Sequence, residues 1–555
     1  MRNFRLRLSD ILMRMDQSAP RLRVHHPELW ARNTDRKLSG PILRVMPGMG
    51  ARSFRIEMNL GHIKPSSSSN GPGAEIDIET APAPHVVKDD QDPNLVSWDG
   101  PGDPENPFNW KTYKKARQLV FMAFNTFLTP LASSMFAPGV ADAMKQFRSS
   151  NSMLASFVVS VYVLGYMVGP FLIAPLSELY GRVPLYHVCN ILFLIFTIAC
   201  AVCQSLPQLI IFRLLAGVAG VCPLTIGSGT AADMVPKEKR AGVIAIWAMG
   251  PILGPVIGPV AGGFLTQAKG WRWVFWVIAM ATGVVIIGTV LGYRESYAPV
   301  LLKRKAARLR KETGNQDLRT IYDSNRPPRQ IFLDAFARPI KLLFCSPIVF
   351  LMALFAAITY GYLYLMFTTI TSIFEKNYNF TQGTAGLAFL GFGVGCLLSL
   401  LVCGRIANHI AVTHTRRGCF TPESRLPPML YGCWTIPVSL FWYGWSAQAH
   451  THWIVPILGT AVFGIGLITV FMSANTYLVD SYLLHAASVT AASTALRSLV
   501  GALLPLAGPA MYESLGLGWG NSLLAFIALV MCVVPFLFAR YGAAIRTHPR
   551  FQVHL

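Results

Sequence analysis

The chain has 555 residues, of which 53% are hydrophobic and only 14% charged, and this is not the balance of a soluble protein. Its formal net charge of +21 would suit a nucleic-acid binder. The cations instead gather between apolar runs, as they do in cytoplasmic loops of membrane proteins, which argues against nucleic acid as a partner.

Taken in order, residues 1–115 read as a largely disordered cytoplasmic tail. It holds PSSSSNGPG from Pro65 to Gly73, an acidic patch from Glu75 to Asp92 and the turn-rich DGPGDPENPFNW from Asp99 to Trp110. The first 60 residues show no interpretable pattern. Arg2, Arg5, Arg7 and Arg14 lie near the start without a continuous apolar core, so no cleavable signal peptide is expected. Asp10 and Asp16 weigh against a mitochondrial presequence.

Apolar runs follow at about 117–138, 153–175, 184–204, 207–231, 241–266 and 273–293, and again at about 346–371, 384–404, 428–446, 453–477, 490–511 and 519–539. Each can cross a hydrocarbon core. The pattern predicts an all-α membrane protein of twelve transmembrane helices, with a six-helix half over 116–293 and another over 346–540. Between them lies a basic cytoplasmic loop, 294–345, containing LLKRKAARLRKE from Leu301 to Glu312; a short tail, 541–555, ends the chain. Two repeated halves of this kind meet around a site near the midplane. The central loop, Lys237, Lys239, Arg240, Arg416, Arg417, Arg540, Arg546 and Arg550 fall on one side, which assigns both termini to the cytoplasm. Asn379 opens an N-glycosylation sequon on the other side. Most of the ten cysteines lie inside apolar runs and give no disulfide framework; Cys200 and Cys203 read as small hydrophobes.

Several stretches stand out. Between the second and third runs lies APLSELYGRVP, Ala174–Pro184. Gly181 permits a tight turn. Glu178 near a helix N-terminus and Arg182 near an acid such as Asp233 would make a latch that biases which face is open. Arg213, in RLLAG of the fourth run, is costly in a membrane unless it faces a cavity or a partner, or snorkels to the interface. In GPILGPVIGPVAGG, Gly250, Gly254, Gly258 and Gly262 recur every four residues and form one smooth helix stripe, followed by Gly263. Pro255 and Pro259 beside it each remove a backbone N–H and bend the helix. Asn125, Tyr166, Tyr360, Tyr364 and Asn475 are the expected substrate-binding side chains, with Tyr162, Tyr362 and Tyr477 as further candidates. Asp480 and Arg497, near the cytoplasmic ends of the tenth and eleventh runs, read equally as a stabilising ion pair.

These stretches resemble the major facilitator superfamily. APLSELYGRVP resembles its GxLaDrxGr loop motif, with Ala174 and Glu178 replacing Gly and Asp. Arg213 and Gly217 resemble its fourth-helix lxxxRxxqG motif, with Ala216 where Gln is usual. The glycine stripe resembles the GxxxGPxxGG signature of its exporters. GVCPLTIGSGTAADM ending at Met234, WRWVFW at Trp271–Trp276, ESYAPVLLKRKAARLR at Glu295–Arg310 and PESRLPP at Pro422–Pro428 narrow the resemblance to the fungal twelve-spanner drug:proton antiporters, over about residues 95–545.

The resemblance implies a major facilitator fold and a secondary transporter, not an enzyme. Such a transporter exports small amphipathic organic compounds (drugs, toxins or secondary metabolites) in exchange for protons by alternating access, with Arg213 and Asp480 in proton coupling. It would be a plasma-membrane monomer whose partners are the bilayer, a small-molecule substrate and protons, with no cofactor, metal or nucleic acid. The alternative is a proton-coupled importer or uniporter of a small solute such as a polyamine or sugar-like molecule. The chain has no GxxxxGK[ST] phosphate loop, which argues against an ATP-driven pump, and no nucleophile–base constellation. No Asp or Glu lies deep in the spans of the first half. The proton carrier is left open among Asp233, Asp480, a partner of Arg213 and a substrate-linked group.

Overall fold

A computed structural model describes residues 94–100, 102–323, 327–417, 421–482 and 485–548. The expected tail up to residue 93 and the stretch from 549 lie outside the described residues. Helix α1 (Thr112–Ser134) is the first span, and short α2 (Val140–Gln146) lies in the turn after it. Spans two to six are α3 (Ser152–Tyr180), α4 (Arg182–Val202), α5 continued by α6 (Leu206–Gly220, Cys222–Met234), α7 (Lys237–Lys269) and α8 (Arg272–Gly292). At 1.5 Å per residue, the 29 residues of α3 reach about 43 Å, enough for a hydrocarbon core and its interfaces.

Linker helices α9 (Ala298–Thr313) and α10 (Pro328–Cys345) lead to the second half. It comprises α11 (Pro347–Tyr378), α12 continued by α13 (Gln382–Leu387, Phe389–Arg416), α14 continued by α15 (Pro427–Gly432, Thr435–Gln448), α16 (Ile454–Ser481) and α17 (Ala486–Thr547). The 62 residues of α17 cannot form one span. Gly516, at φ 71° and ψ 175°, breaks the helix in two, a conformation only glycine adopts readily. Ten helical stretches among the described residues are each long and apolar enough to cross a membrane. Dividing α17 at Gly516 and counting the interrupted α14–α15 gives twelve spans in two six-helix halves.

Each half has its own apolar core. Val163 of α3, with Ile252 and Val256 of α7, joins the core of the second half, so α3 and α7 form the seams between halves. Outward-facing apolar side chains such as Val284, Ile287 and Leu291 of α8 and Val530 of α17 stay exposed, as a lipid-facing belt requires.

The boundaries differ from expectation at one informative place. Asn94–Trp110 is folded, not tail. Leu95–Val96 (β1) pairs in parallel with Arg319–Thr320 (β2) of the central loop. Lys305 of α9 is buried, and its ammonium lies 2.7 Å from Asp99 and 3.4 Å from Asp103 while donating to the Ser97 carbonyl at 3.1 Å. A buried ammonium needs such anions, and turn-forming DGPGDPEN supplies them. Burial pushes the Asp103 carboxyl up. Hydrogen bonds from the Asp99 and Glu105 N–H groups, with the Lys305 charge, outweigh that and hold it below its ordinary value.

Candidate functional site

The glycine stripe lies where α7 meets two neighbours. A Cβ at Gly250 would lie 2.9 Å from Phe127 N, and one at Gly254 would lie 2.8 Å from Leu131 N, both on α1. Gly258 faces Ser134 and Gly262 faces the Met135 carbonyl more closely still. Spans one and five therefore pack backbone to backbone, which only a stripe without side chains permits. On its other side α7 meets the second half. Gly263 faces the Gln382 carbonyl, and a Cβ at Gly386 of α12 would lie 2.5 Å from the Pro259 carbonyl oxygen. Gln382 donates to Asp142 at 2.9 Å, and Gln267 accepts from the Gly383 N–H at 3.1 Å. These contacts join the halves at the end opposite the linker. A second seam joins α3 to α17, where the Ser160 hydroxyl donates to the Ala502 carbonyl at 2.8 Å.

At the linker end the charges form two clamps, one in each half. Arg182 follows Gly181, whose φ of 100° disfavours any side chain. Its Nε lies 3.3 Å from Asp233, its Nη1 donates to Ser177 Oγ at 2.7 Å, and its guanidinium covers the Tyr297 ring at 4.5 Å. Burial pushes the Tyr297 phenol up to about 12, so it stays neutral beneath that cation. The carboxylate on the N-terminus of α4 is Glu295, which accepts from the Arg182 and Val183 N–H groups at 3.0 and 3.2 Å. Glu178, expected in that role, sits exposed on the last turn of α3. In the second half, Arg425 meets Asp480 at 2.7 Å and Arg546 meets Glu423 at 3.6 Å. The partner of Asp480 is thus Arg425, where the sequence suggested Arg497. The reason is depth: Arg497 lies eleven residues, about 16 Å, along α17.

Mid-membrane, the side chains are aromatic and basic. Arg213 is 1% exposed, which rules out snorkelling to an interface. Its Nη2 donates to the Ser133 and Val159 carbonyls at 3.1 and 3.3 Å. The guanidinium lies 5.0 Å from the Phe136 ring and 5.5 Å from the Tyr162 ring. Beside it is a narrow cavity lined by Tyr162, Thr197, Cys200 and Phe275, with room for roughly one water. The Ser133 hydroxyl meets the Tyr364 hydroxyl at 2.7 Å across the two halves. Tyr364 packs on Tyr360 at 5.1 Å and Tyr162 on Tyr166 at 5.3 Å. Arg497 lies 4.8 Å over Tyr360 and 4.7 Å over Phe471.

The other expected site residues lie elsewhere. Asn125 donates to Asn190 at 3.0 Å and ties α1 to α4 within the first half. Asn475 is half-buried, one turn beyond Phe471 on α16. Tyr362 donates to the Leu524 carbonyl at 2.9 Å and Tyr477 packs near Phe538, both inside the second half. Asn379 is exposed and caps α11 at φ 54°, at the end opposite the linker.

A family model described as the Major Facilitator Superfamily matches residues 122–505. The chain belongs to this superfamily. It is 57% identical over 467 residues to the MFS-type transporter penM of Penicillium rubens, covering 83% of this chain and 91% of that one. It is 48% identical over 494 residues to the efflux pump radE of Floropilus chiversii, covering 88% and 92%. The xylose transporter XylE from E. coli, in a partially occluded inward-open conformation, superposes with a TM-score of 0.57 at 14% identity, covering 77% and 98% of the two chains. A bacterial homolog of the human lysosomal transporter Spinster gives 0.57 at 15%, covering 79% and 100%.

As a major facilitator, the chain carries polar groups that residue-by-residue reading of the sequence missed: Ser133, Glu295, Arg425 and Glu423. The acids of ESYAP and PESR lie in the segments that carried the family resemblance. Their partners are 113 residues from Glu295 and 55 residues from Arg425, so spacing alone gave them no role. Ser133 shows no local signal, because its partner is 231 residues away.

Proposed function

We propose that this major facilitator exports small amphipathic organic compounds, of the secondary-metabolite kind, in exchange for protons by alternating access. The observation that carries the reading is the seam at the end opposite the linker. There the halves meet through glycines, the Pro259 carbonyl and two hydrogen bonds, Gln382 to Asp142 and the Gly383 N–H to Gln267, beyond a mid-membrane layer of tyrosines and arginines that the Ser133–Tyr364 hydrogen bond spans. Such a seam can part by withdrawing Ile252 and Val256 of α7 from the second half's core, with the rest of each core intact. The similarity to radE, an efflux pump, supports the outward direction.

In this reading the linker end is cytoplasmic, as the excess of Lys and Arg there argues. The membrane is the plasma membrane, the transporter acts as a monomer, and Asn379 carries glycan on the outside. Protons enter through Asp480, Asp233 or groups near Arg213. The test is accumulation of fluorescent and toxic compounds in cells expressing the chain, with and without a protonophore. Accumulation should fall on expression and recover with the protonophore. A rise on expression would mean import.

A further inference from the structure

The charges buried between the two ends of the bundle do not cancel. Across Thr112–Gly292 and Pro347–Thr547 the chain holds eight acids: Asp142, Glu178, Asp233, Glu238, Glu375, Glu423, Asp480 and Glu513. All eight lie in turns or within about a turn of a helix end or break. Four guanidiniums lie seven or more residues from the nearest helix end: Arg405 of α13 and Arg540 of α17 are exposed, while Arg213, seven residues into α5, is buried and Arg497, eleven residues into α17, is half-buried. Inside the bundle, the middle of the membrane therefore holds two cations and no carboxylate.

Arg213 donates from Nη2 to two carbonyls and is enclosed by rings, although its Nε too is buried without a partner. Arg497 differs in that, among the described residues, none of its nitrogens has an acceptor. Its guanidinium lies between the Tyr360 and Phe471 rings, and its Nε is buried without a hydrogen-bond partner among the described residues. On α17 it shares a face with Gly501 and Gly508, whose missing side chains leave room for Tyr360 and Leu365 of α11. Leu503, 49% exposed, marks the lipid side of the same helix, well around from Arg497. The cation thus points to where α11 and α16 meet, not to lipid. Two aromatic faces attract a cation but do not neutralise it, and a half-buried guanidinium with no protein acceptor calls for an anion with oxygen acceptors.

We infer that the transported compound supplies that anion. It carries an acidic group, a carboxylate or a comparably acidic enol or phenol, that binds Arg497, while its ring system lies against Tyr360, Tyr364 and Phe471. The inference rests on the transporter reading above, and its direction on the export reading. It also gives the carboxylate that the midplane lacks a source outside the protein.

The test uses matched aromatic probes in cells expressing the full chain: 1-pyrenebutyric acid against its primary carboxamide, and 1-naphthoic acid against its carboxamide. Wild type should export the acids faster than the amides by about tenfold or more, the scale of a hydrogen bond to a charged group. Arg497→Gln should abolish that preference, slowing the acids by about tenfold relative to the amides with surface expression as in wild type, and Arg497→Lys should keep part of it. Equal handling of acid and amide, an equal loss of both in Arg497→Gln, or movement of neither probe would overturn the inference. Arg497-dependent accumulation of the acids, in place of their loss, would uphold the anion site and overturn the export reading. Export of neutral compounds alone would do the reverse.

Discussion

Replacing Gly386 with alanine puts a methyl group where the seam has no room. The new Cβ would lie 2.5 Å from the Pro259 carbonyl oxygen and 3.2 Å from both Pro259 C and Val260 Cα. Ordinary contacts to carbon begin near about 3.5 Å, so α7 and α12 must part by roughly 1 Å. Overpacking of this kind costs about 1–3 kcal/mol in a core. Here α7 and α12 belong to different halves, so the strain is relieved by separating the halves, not by unfolding either. At about 1.4 kcal/mol per factor of ten, the equilibrium should move roughly 5- to 150-fold away from the state closed at this end.

The assay is labelling of Ser133→Cys by a membrane-impermeant thiol reagent applied from the end opposite the linker. Apart from half-buried Cys403 and the exposed Cys345 at the linker end, the described cysteines are buried, so background is low. Labelling should be faster by that factor in Gly386→Ala, with transport slowed because closure has become costly. Unchanged labelling and unchanged transport would refute the reasoning, since the seam would then have slack that the Cβ distances deny.

Gly254→Leu should abolish transport with the protein still in the membrane, because its contact with Leu131 and Phe127 lies within one half; normal transport would show that α1 can give way. Arg213→Ala should reduce proton-coupled flux more than Arg213→Lys, and equal near-normal rates would remove Arg213 from coupling. Glu295→Gln should cost about 1 kcal/mol at the N-terminus of α4, read as lower thermal stability of the purified transporter, and Glu178→Gln should cost less; the reverse order would return the helix-terminus role to Glu178. Because the folded Asp103 carboxyl lies below its unfolded value, its stabilisation is full above about pH 4 and lost as pH falls below that. Proteolysis at Asn94–Trp110 should therefore stay slow from neutral pH to about 5 and speed up below 4, and Lys305→Met should speed it at every pH. Protection unaffected by Lys305→Met would dismiss the ion cluster.

How much of this was legible depended on sequence separation. The glycine stripe announced a close helix contact because its period matches the helix, and the structure places α1 against it. Arg213 announced itself by being charged in an apolar run. Neither feature names a partner. Ser133 meets Tyr364, and Arg182 meets Glu295, through folding that brings together residues more than a hundred apart. The folded strap at Asn94–Trp110 was missed for another reason. Its turn-forming composition is that of a linker, and its order comes from the buried Lys305 of a loop 200 residues later. Asn125 misled because a polar group in an apolar helix has two outlets, a cavity or another buried amide, and the sequence does not show that Asn190 is near.

The clamps also change what a latch can mean here. Arg182 and Asp233 belong to the first half and Glu295 to the linker that follows it, and Arg425, Asp480, Glu423 and Arg546 to the second half. Ion pairs confined to one half cannot by themselves hold the two halves together. They fix the ends of α3 and α4, and tie the turn Pro422–Arg425 before α14 to the ends of α16 and α17, which stiffens each half at this end. A bias on which end is open must then pass through an element that touches both halves. Linker helix α10 is such an element: it leads directly into α11, and its Phe336 stacks on Phe171 of α3 at 5.2 Å with the rings 17° from parallel. Stiffening α3 through Arg182 determines where Phe171 meets that linker. On the alternating-access reading proposed above, the clamp would act on the conformational equilibrium by setting the position of a lever, while the glycine seam at the opposite end would set how tightly the closed state fits.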